Sequence, residues 1–154
     1  MPPLNILAVG KVKDKASREL EEKYQERLSH YVRISIRCVK DSPAADPGQR
    51  RKEEAQSLLS AVADSDYLVV LDREGETVTS EGLARELQAL TNRSVRNIVF
   101  VIGGAYGLDD PVRQRANRIL SLSALTFPHE LARVILLEQL YRAYTILRGE
   151  KYHH

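Results

Sequence analysis

Three stretches of this chain, residues 4–9, 67–71 and 97–102, are apolar on nearly every consecutive position and too short to be ordinary helices. A strand that is apolar on both faces must be covered on both faces. Such strands belong to parallel sheets flanked by helices, so these runs narrow the fold more than any other feature. The intervening segments agree. Leu20, Tyr24 and Leu28 recur at helical spacing among charged residues and make one apolar stripe. Residues 49–63 predict a second helix, and Ser80 is the expected cap of a third that runs through Leu90. Val32, Ile34, Ile36 and Cys38 alternate with Arg33, Ser35 and Arg37, which is a strand with one wet face. Residues 41–48 and 72–79 read as polar loops. Pro111 suits the first turn of a short helix, a last strand is expected over 119–125, and a long helix over 130–147. The expectation is one α/β domain spanning residues 1–154, a sandwich with a largely parallel sheet.

Composition excludes several classes. The 154 residues are 43% hydrophobic, enough for one core. The net charge is only +2, so any nucleic-acid contact must come from a local patch or from two subunits together. Cys38 is the single cysteine, so no intrachain disulfide forms, no paired thiols suggest a metal, and no metal is expected. No stretch is apolar for long enough to span a bilayer and no charged leader precedes the first strand, so a cytoplasmic location is expected.

The long helix carries two apolar stripes. One is Val134, Leu137, Tyr141 and Tyr144; the other is Leu136, Leu140, Ala143 and Leu147. One is expected to face the sheet and the other a second copy of the chain, which predicts a homodimer.

The chemistry-bearing motifs lie in the C-terminal half. Gly103-Gly104-Ala105-Tyr106-Gly107 follows a strand and precedes a helix, where glycine permits a sharp turn and a close approach to a ligand. It is neither a dinucleotide fingerprint nor a P-loop, because the glycine spacing and the lysine those motifs need are missing. By itself it reads as a tight turn or a ligand loop. Small and hydroxylated residues then lead through Ser123, Ala124, Leu125, Thr126 and Phe127 to Pro128 and His129. His129 is a general base or a solvent-facing residue at a helix start.

The run Ile102-Gly103-Gly104-Ala105-Tyr106-Gly107-Leu108 is followed in order by Leu122-Ser123-Ala124-Leu125-Thr126-Phe127-Pro128-His129 and Glu138-Gln139-Leu140-Tyr141-Arg142-Ala143, and then by Tyr152-His153. Together with Ala8-Val9-Gly10-Lys11 and Val70-Leu71-Asp72, this series resembles the RlmH family of SPOUT-class methyltransferases over essentially the whole chain. The resemblance implies a SPOUT α/β fold with a C-terminal trefoil knot, a homodimer, S-adenosyl-L-methionine as methyl donor, and methylation of N3 of a pseudouridine in 23S ribosomal RNA on the ribosome. It implies cofactor contacts from Leu71, from Gly103 and Gly104, and from Ser123, Ala124, Leu125, Thr126, Phe127 and Pro128. Its candidates for charge stabilisation and proton removal are Arg142, His153 and His129. A lysine or arginine is expected after Tyr152-His153, and His154 stands there instead. Two basic clusters, Lys11, Lys13 and Lys15 and then Arg113, Arg115 and Arg118, suit phosphate contacts. A knotted transfer-RNA methyltransferase, a non-catalytic ribosome-binding module and a flavodoxin-like nucleotide binder are the other readings of the same sequence.

Overall fold

The computed structural model describes residues 1–154. Strands and helices alternate in the order β1 (Leu4–Val9), α1 (Lys15–Ser29), β2 (Ile34–Val39), α2 (Pro47–Ser60), β3 (Tyr67–Thr77), α3 (Ser80–Asn92), β4 (Ile98–Ile102), α4 (Asp110–Arg115), β5 (Arg118–Ser121) and α5 (His129–Leu147). The strands form one sheet in the order β2-β1-β4-β3-β5, and all neighbours pair in parallel. Side chains of the inner strands alternate between two apolar clusters. Leu4, Ile6, Ile98 and Phe100 pack against α1, α3 and α5. Leu7, Val9, Leu68, Val70, Val99 and Val101 pack against α2 and α4. This two-sided burial is what the uninterrupted apolar runs require.

The structure departs from the sequence expectations at five places. Residues 72–77 are strand rather than loop. β3 continues past a shift in register, so that Leu120 pairs first with Leu71 and again with Glu76. A Cβ on Gly75 would stand 2.8 Å from the Ile119 backbone, so only glycine lets the two chains run this close. β5 stops at Ser121 instead of continuing to 125, because Ser121 Oγ donates to Ser123 O at 2.9 Å and Leu125 N donates to Ser123 Oγ at 3.0 Å. These local side-chain bonds replace the ladder. The cap of α3 is Thr79, whose Oγ1 accepts from Gly82 N at 2.9 Å; Ser80 turns its hydroxyl to Gln139 at 2.7 Å. α2 begins at Pro47 under the Asp46 side chain, which accepts from Gln49 N at 2.8 Å.

The fifth departure concerns α5, which lies in the groove between α1 and α3. Val134, Leu136, Leu137, Leu140, Ala143 and Tyr144 are all buried within the chain itself. Neither of the two expected stripes is left over for a second copy. The outer face of α5 is a third line, Leu131, Ile135, Gln139, Arg142 and Ile146, exposed or half-buried along its length. No helix is long and apolar enough to cross a membrane.

Candidate active site

Parallel strands all point the same way, so the loops that leave their carboxyl ends gather on one edge of the sheet, where such folds hold ligands. Here the loops after β4 and β5, together with the irregular middle of β3, surround a cleft of about 810 Å³. Leu71, Gly103, Gly104, Ser123, Leu125, Thr126, Phe127, Pro128 and His129 line it. Ala124, assigned to the cofactor with them, is exposed and does not. Leu125 is 71% exposed at the rim, an apolar side chain with no protein to cover it.

The glycines do a different job from the one their position suggests. A Cβ on Gly103 would stand 2.8 Å from Leu108 Cγ. One on Gly104 would stand 3.1 Å from Glu54 Oε1 and 3.2 Å from Val9 Cγ1. The Gly104 vector points into the packing behind the loop, and the Gly103 vector points into the returning arm of the loop at Leu108 and Gly107. Gly104 therefore lets the backbone lie flat against β1 and α2, Gly103 lets the two arms of the loop close on each other, and the backbone itself forms the cleft wall. Gly107, at a φ of +83°, closes the loop by donating its N–H to Gly104 O at 3.1 Å. The N–H groups of Ala105 and Tyr106, in the middle of that turn, have no protein acceptor and are free for a ligand.

Asp72 and Arg73 in the wall escaped the sequence reading, and Arg113, expected on phosphate, stands there with them. Asp72 Oδ2 accepts from Arg113 Nε at 2.5 Å, and its Oδ1 accepts from Glu74 N at 2.9 Å. Burial alone would raise the Asp72 carboxyl, but the Glu74 N–H and the Arg113 guanidinium outweigh it and hold the group below the usual carboxylate range. Arg113 Nη1 also donates to Leu108 O at 3.0 Å, which ties the end of the glycine loop to β3. Arg73 reaches Thr126 Oγ1 at 3.2 Å and bridges the other two loops. An aspartate directly after a buried strand was the available signal for Asp72. His129 adds a half-buried imidazole whose Nδ1 is enclosed and unpartnered.

Arg142 and His153 are elsewhere. Arg142 follows His129 by thirteen residues of α5, or about 20 Å along the helix. There Arg142 Nη2 and Nε donate to Glu138 Oε1 at 2.6 and 3.0 Å, and Tyr152 donates its hydroxyl to the same oxygen at 3.0 Å. His153 Nδ1 lies 3.1 Å from Arg142 Nη1, and its Nε2 lies 2.7 Å from Glu81 Oε1. The Glu138 hydrogen bond raises the Arg142 guanidinium further above its ordinary value, and the His153 bond lowers the Glu81 carboxyl. Burial, then Glu138, pushes the Tyr152 phenol up to about 12. The tail is thus laced to α5 and α3, and within one chain these groups do not face the cleft.

The two basic clusters also separate. Arg113 pairs with Asp72, Arg115 donates to the carbonyls of Ala63 and Asp66 at 3.0 Å each, and Arg118 pairs with Glu76 at 2.9 Å and Glu86 at 2.7 Å. That cluster is engaged inside the molecule. Lys11 and Lys13 are exposed with no carboxylate partner, and Lys15 makes only a loose 3.9 Å contact with Glu19. Glu130 accepts the Lys13 N–H at 2.6 Å, so the lysine segment abuts the start of α5 beside His129.

The family model described as "Predicted SPOUT methyltransferase" matches residues 3–153. The chain belongs to the SPOUT methyltransferase family. Among its SPOUT relatives, "Ribosomal RNA large subunit methyltransferase H" of Nitratidesulfovibrio vulgaris (strain DP4) is 46% identical over 155 residues, covering 100% of this chain and 99% of the relative. The protein of the same description from Solidesulfovibrio magneticus is 44% identical, covering 100% of both chains. That from Flavobacterium johnsoniae is 37% identical, covering 98% of each. At this likeness over its full length the chain belongs with that group of the SPOUT family. Two solved structures share the fold. A probable methyltransferase from Bordetella pertussis Tohama I gives a TM-score of 0.59 at 11% identity, covering 93% of this chain and 96% of that one. A probable methylase family protein from Haemophilus influenzae Rd KW20 gives 0.58 at 12%, covering 99% of this chain and 71% of that one. A SPOUT methyltransferase takes its methyl group from a donor.

Proposed function

We propose that this protein methylates N3 of a pseudouridine in 23S ribosomal RNA, with S-adenosyl-L-methionine held in the cleft, as a cytoplasmic homodimer acting on the ribosome. The observation that carries this reading is the cleft itself: free turn N–H groups at Ala105 and Tyr106, apolar walls from Leu71, Leu125 and Phe127, and an uncovered Leu125 at the rim. Backbone donors and acceptors of tight loops suit the edges of an adenine, and apolar walls suit its faces. Bound there, S-adenosyl-L-methionine supplies an activated methyl group. The protein's share of the work is to hold the base in line, exclude water and manage the proton on N3.

Dimerisation answers the 20 Å gap. The outer line of α5 is self-complementary under a two-fold axis that sets two α5 helices antiparallel. Leu131 and Ile135 of one copy then meet Ile146 of the other, and the Arg142–His153 end of each copy is carried to the His129 end of its partner. Arg142 and His153 would face the base from across the dimer, with His129 on the near side and Lys11 and Lys13 on the RNA backbone. A C-terminal trefoil knot is what the family likeness implies.

Calorimetry with S-adenosyl-L-methionine, and mass mapping of modified nucleosides in RNA from cells with and without the protein, test this reading. The expected results are one site per chain and one N3-methylpseudouridine lost from 23S RNA. Absence of cofactor binding would return the chain to a ribosome-binding role; a methyl group lost from transfer RNA instead would reassign the substrate.

A further inference from the structure

Behind the glycine loop, outside the cleft, sits a buried carboxylate. Glu54, on α2, is only 4% exposed. Its Oε2 accepts from Ser42 N at 3.1 Å. The Ser42 hydroxyl is taken by Glu53, so it does not serve the second oxygen. Glu54 Oε1 is enclosed and has no partner. An enclosed carboxylate oxygen without a donor is among the costlier things a fold can keep. It lies 3.1 Å from the point where a Cβ on Gly104 would stand, so nothing but the missing methyl group separates it from the loop backbone. One turn earlier on α2, the Arg50 guanidinium lies 5.3 Å from the centre of the Tyr106 ring, and its Nε is fixed by Ala44 O at 3.1 Å. The same helix therefore meets both arms of the Gly104–Gly107 turn, once with an unfilled acceptor and once with a cation on an aromatic face.

We propose that Glu54 is a positioning residue for the cofactor loop: its free oxygen takes the backbone N–H of Gly103 or Gly104 when the cleft is filled, and Arg50 on Tyr106 steadies the outer arm. The inference rests on the cleft being the S-adenosyl-L-methionine site. Ligand binding then draws on a hydrogen bond to a charged acceptor that is unmade in the ligand-free chain. Only glycine at 104 allows the carboxylate so near the backbone.

The test is Glu54→Gln, which keeps the volume and an acceptor for Ser42 N but can place an N–H₂ donor where the free oxygen stood. Cofactor affinity by calorimetry should fall about tenfold or more, the range of one hydrogen bond to a charged group. The thermal midpoint of the ligand-free protein should hold or rise, because an unsatisfied carboxylate oxygen has gone. A purely structural glutamate gives the opposite pair: a lower midpoint and unchanged affinity in the folded fraction. Amide hydrogen exchange adds a second readout. Residues 103–107 should gain protection on cofactor addition in the wild type and much less in the variant. Glu54→Asp, which retains the charge but withdraws it by one methylene, is measured alongside and carries the same expectation if Glu54→Gln does not fold. Affinity within twofold of wild type in the folded variant overturns the proposal. Wild-type protein that binds no cofactor overturns the site assignment instead, so the two failures are distinguishable.

Discussion

The two ends of α5 make opposite use of polar groups. At the His129 end, three loops leave a hollow whose turn N–H groups and one imidazole nitrogen have no protein partner, and the unpaired ammonium groups of Lys11 and Lys13 lie nearby. At the Arg142 end, the groups of the tail and helix hold one another: Arg142 on Glu138, His153 on Glu81, and Tyr152 on Glu138. One end is arranged to receive a molecule and the other to hold its own chain in place. The comparison teaches that a reactive residue type is not evidence of a reactive site. Arg142 and His153 gain a route to chemistry only when a second copy carries them to the open end.

The largest test of this contrast is at the open end. Gly104→Arg should remove cofactor binding beyond calorimetric detection. Because its side chain starts toward Glu54 and Val9, it should also cost about 1–3 kcal/mol of stability by overpacking. Full binding in that variant would mean that the loop backbone is not the cleft wall.

The dimer comes next. Light scattering on the wild type should give about twice the 17.4 kDa chain mass. Leu131→Glu with Ile135→Glu should give the single-chain mass, retain cofactor binding at the cleft, and lose methyl transfer to ribosomes at least as severely as the loss of Arg142. A monomer that transfers methyl groups at the wild-type rate would leave the Arg142 end with no catalytic part.

Arg142→Ala, and truncation before Tyr152, should leave cofactor affinity nearly unchanged while lowering transfer from tritiated donor on the order of a hundredfold. Mixing Arg142→Ala chains with Gly104→Arg chains sharpens the comparison further, since a cleft completed across the dimer should recover activity in the mixed dimer.

The smallest expected effect is Asp72→Asn, which loosens the tie between the glycine loop and β3. The Asp72–Arg113 pair is partly open to solvent, so about 1 kcal/mol is expected, a thermal shift of roughly 2–4 °C. The native Asp72 carboxyl titrates below its unfolded value. Its contribution is therefore complete above about pH 4 and fades as the pH falls through the lower native value, where variant and wild-type midpoints should converge.

Burial was the property most legible in the sequence. Runs such as Leu4–Val9 announce two covered faces, and the sheet and its parallel sense followed from them. Polar segments were harder, because register carries no hydrophobic signal. Residues 72–77 read as a turn, whereas Gly75 lets them run on beside β5. The loops of the cleft were found through family likeness, since small residues alone read as turns. The direction of the glycine Cβ vectors, the Asp72–Arg113 pair and the crowding of α5 between two helices depend on distant parts of the chain meeting, and no local pattern encodes them.

The place of α5 has a consequence for how the molecule is made. Leu136, Leu137, Leu140, Ala143 and Tyr144 complete, between α1 and α3, the cover of one face of the sheet, yet they are synthesised after all five strands. Until α5 leaves the ribosome, Ile6, Ile98 and Phe100 have no full cover, and the nascent sheet carries an open apolar face that invites aggregation. Parallel pairing between strands distant in sequence is slow for the same reason, because loops must close before contacts reward them. Maturation should therefore begin in earnest only once the long helix is free to dock, and a stalled chain ending before residue 129 should depend on chaperones in a way that the finished protein does not.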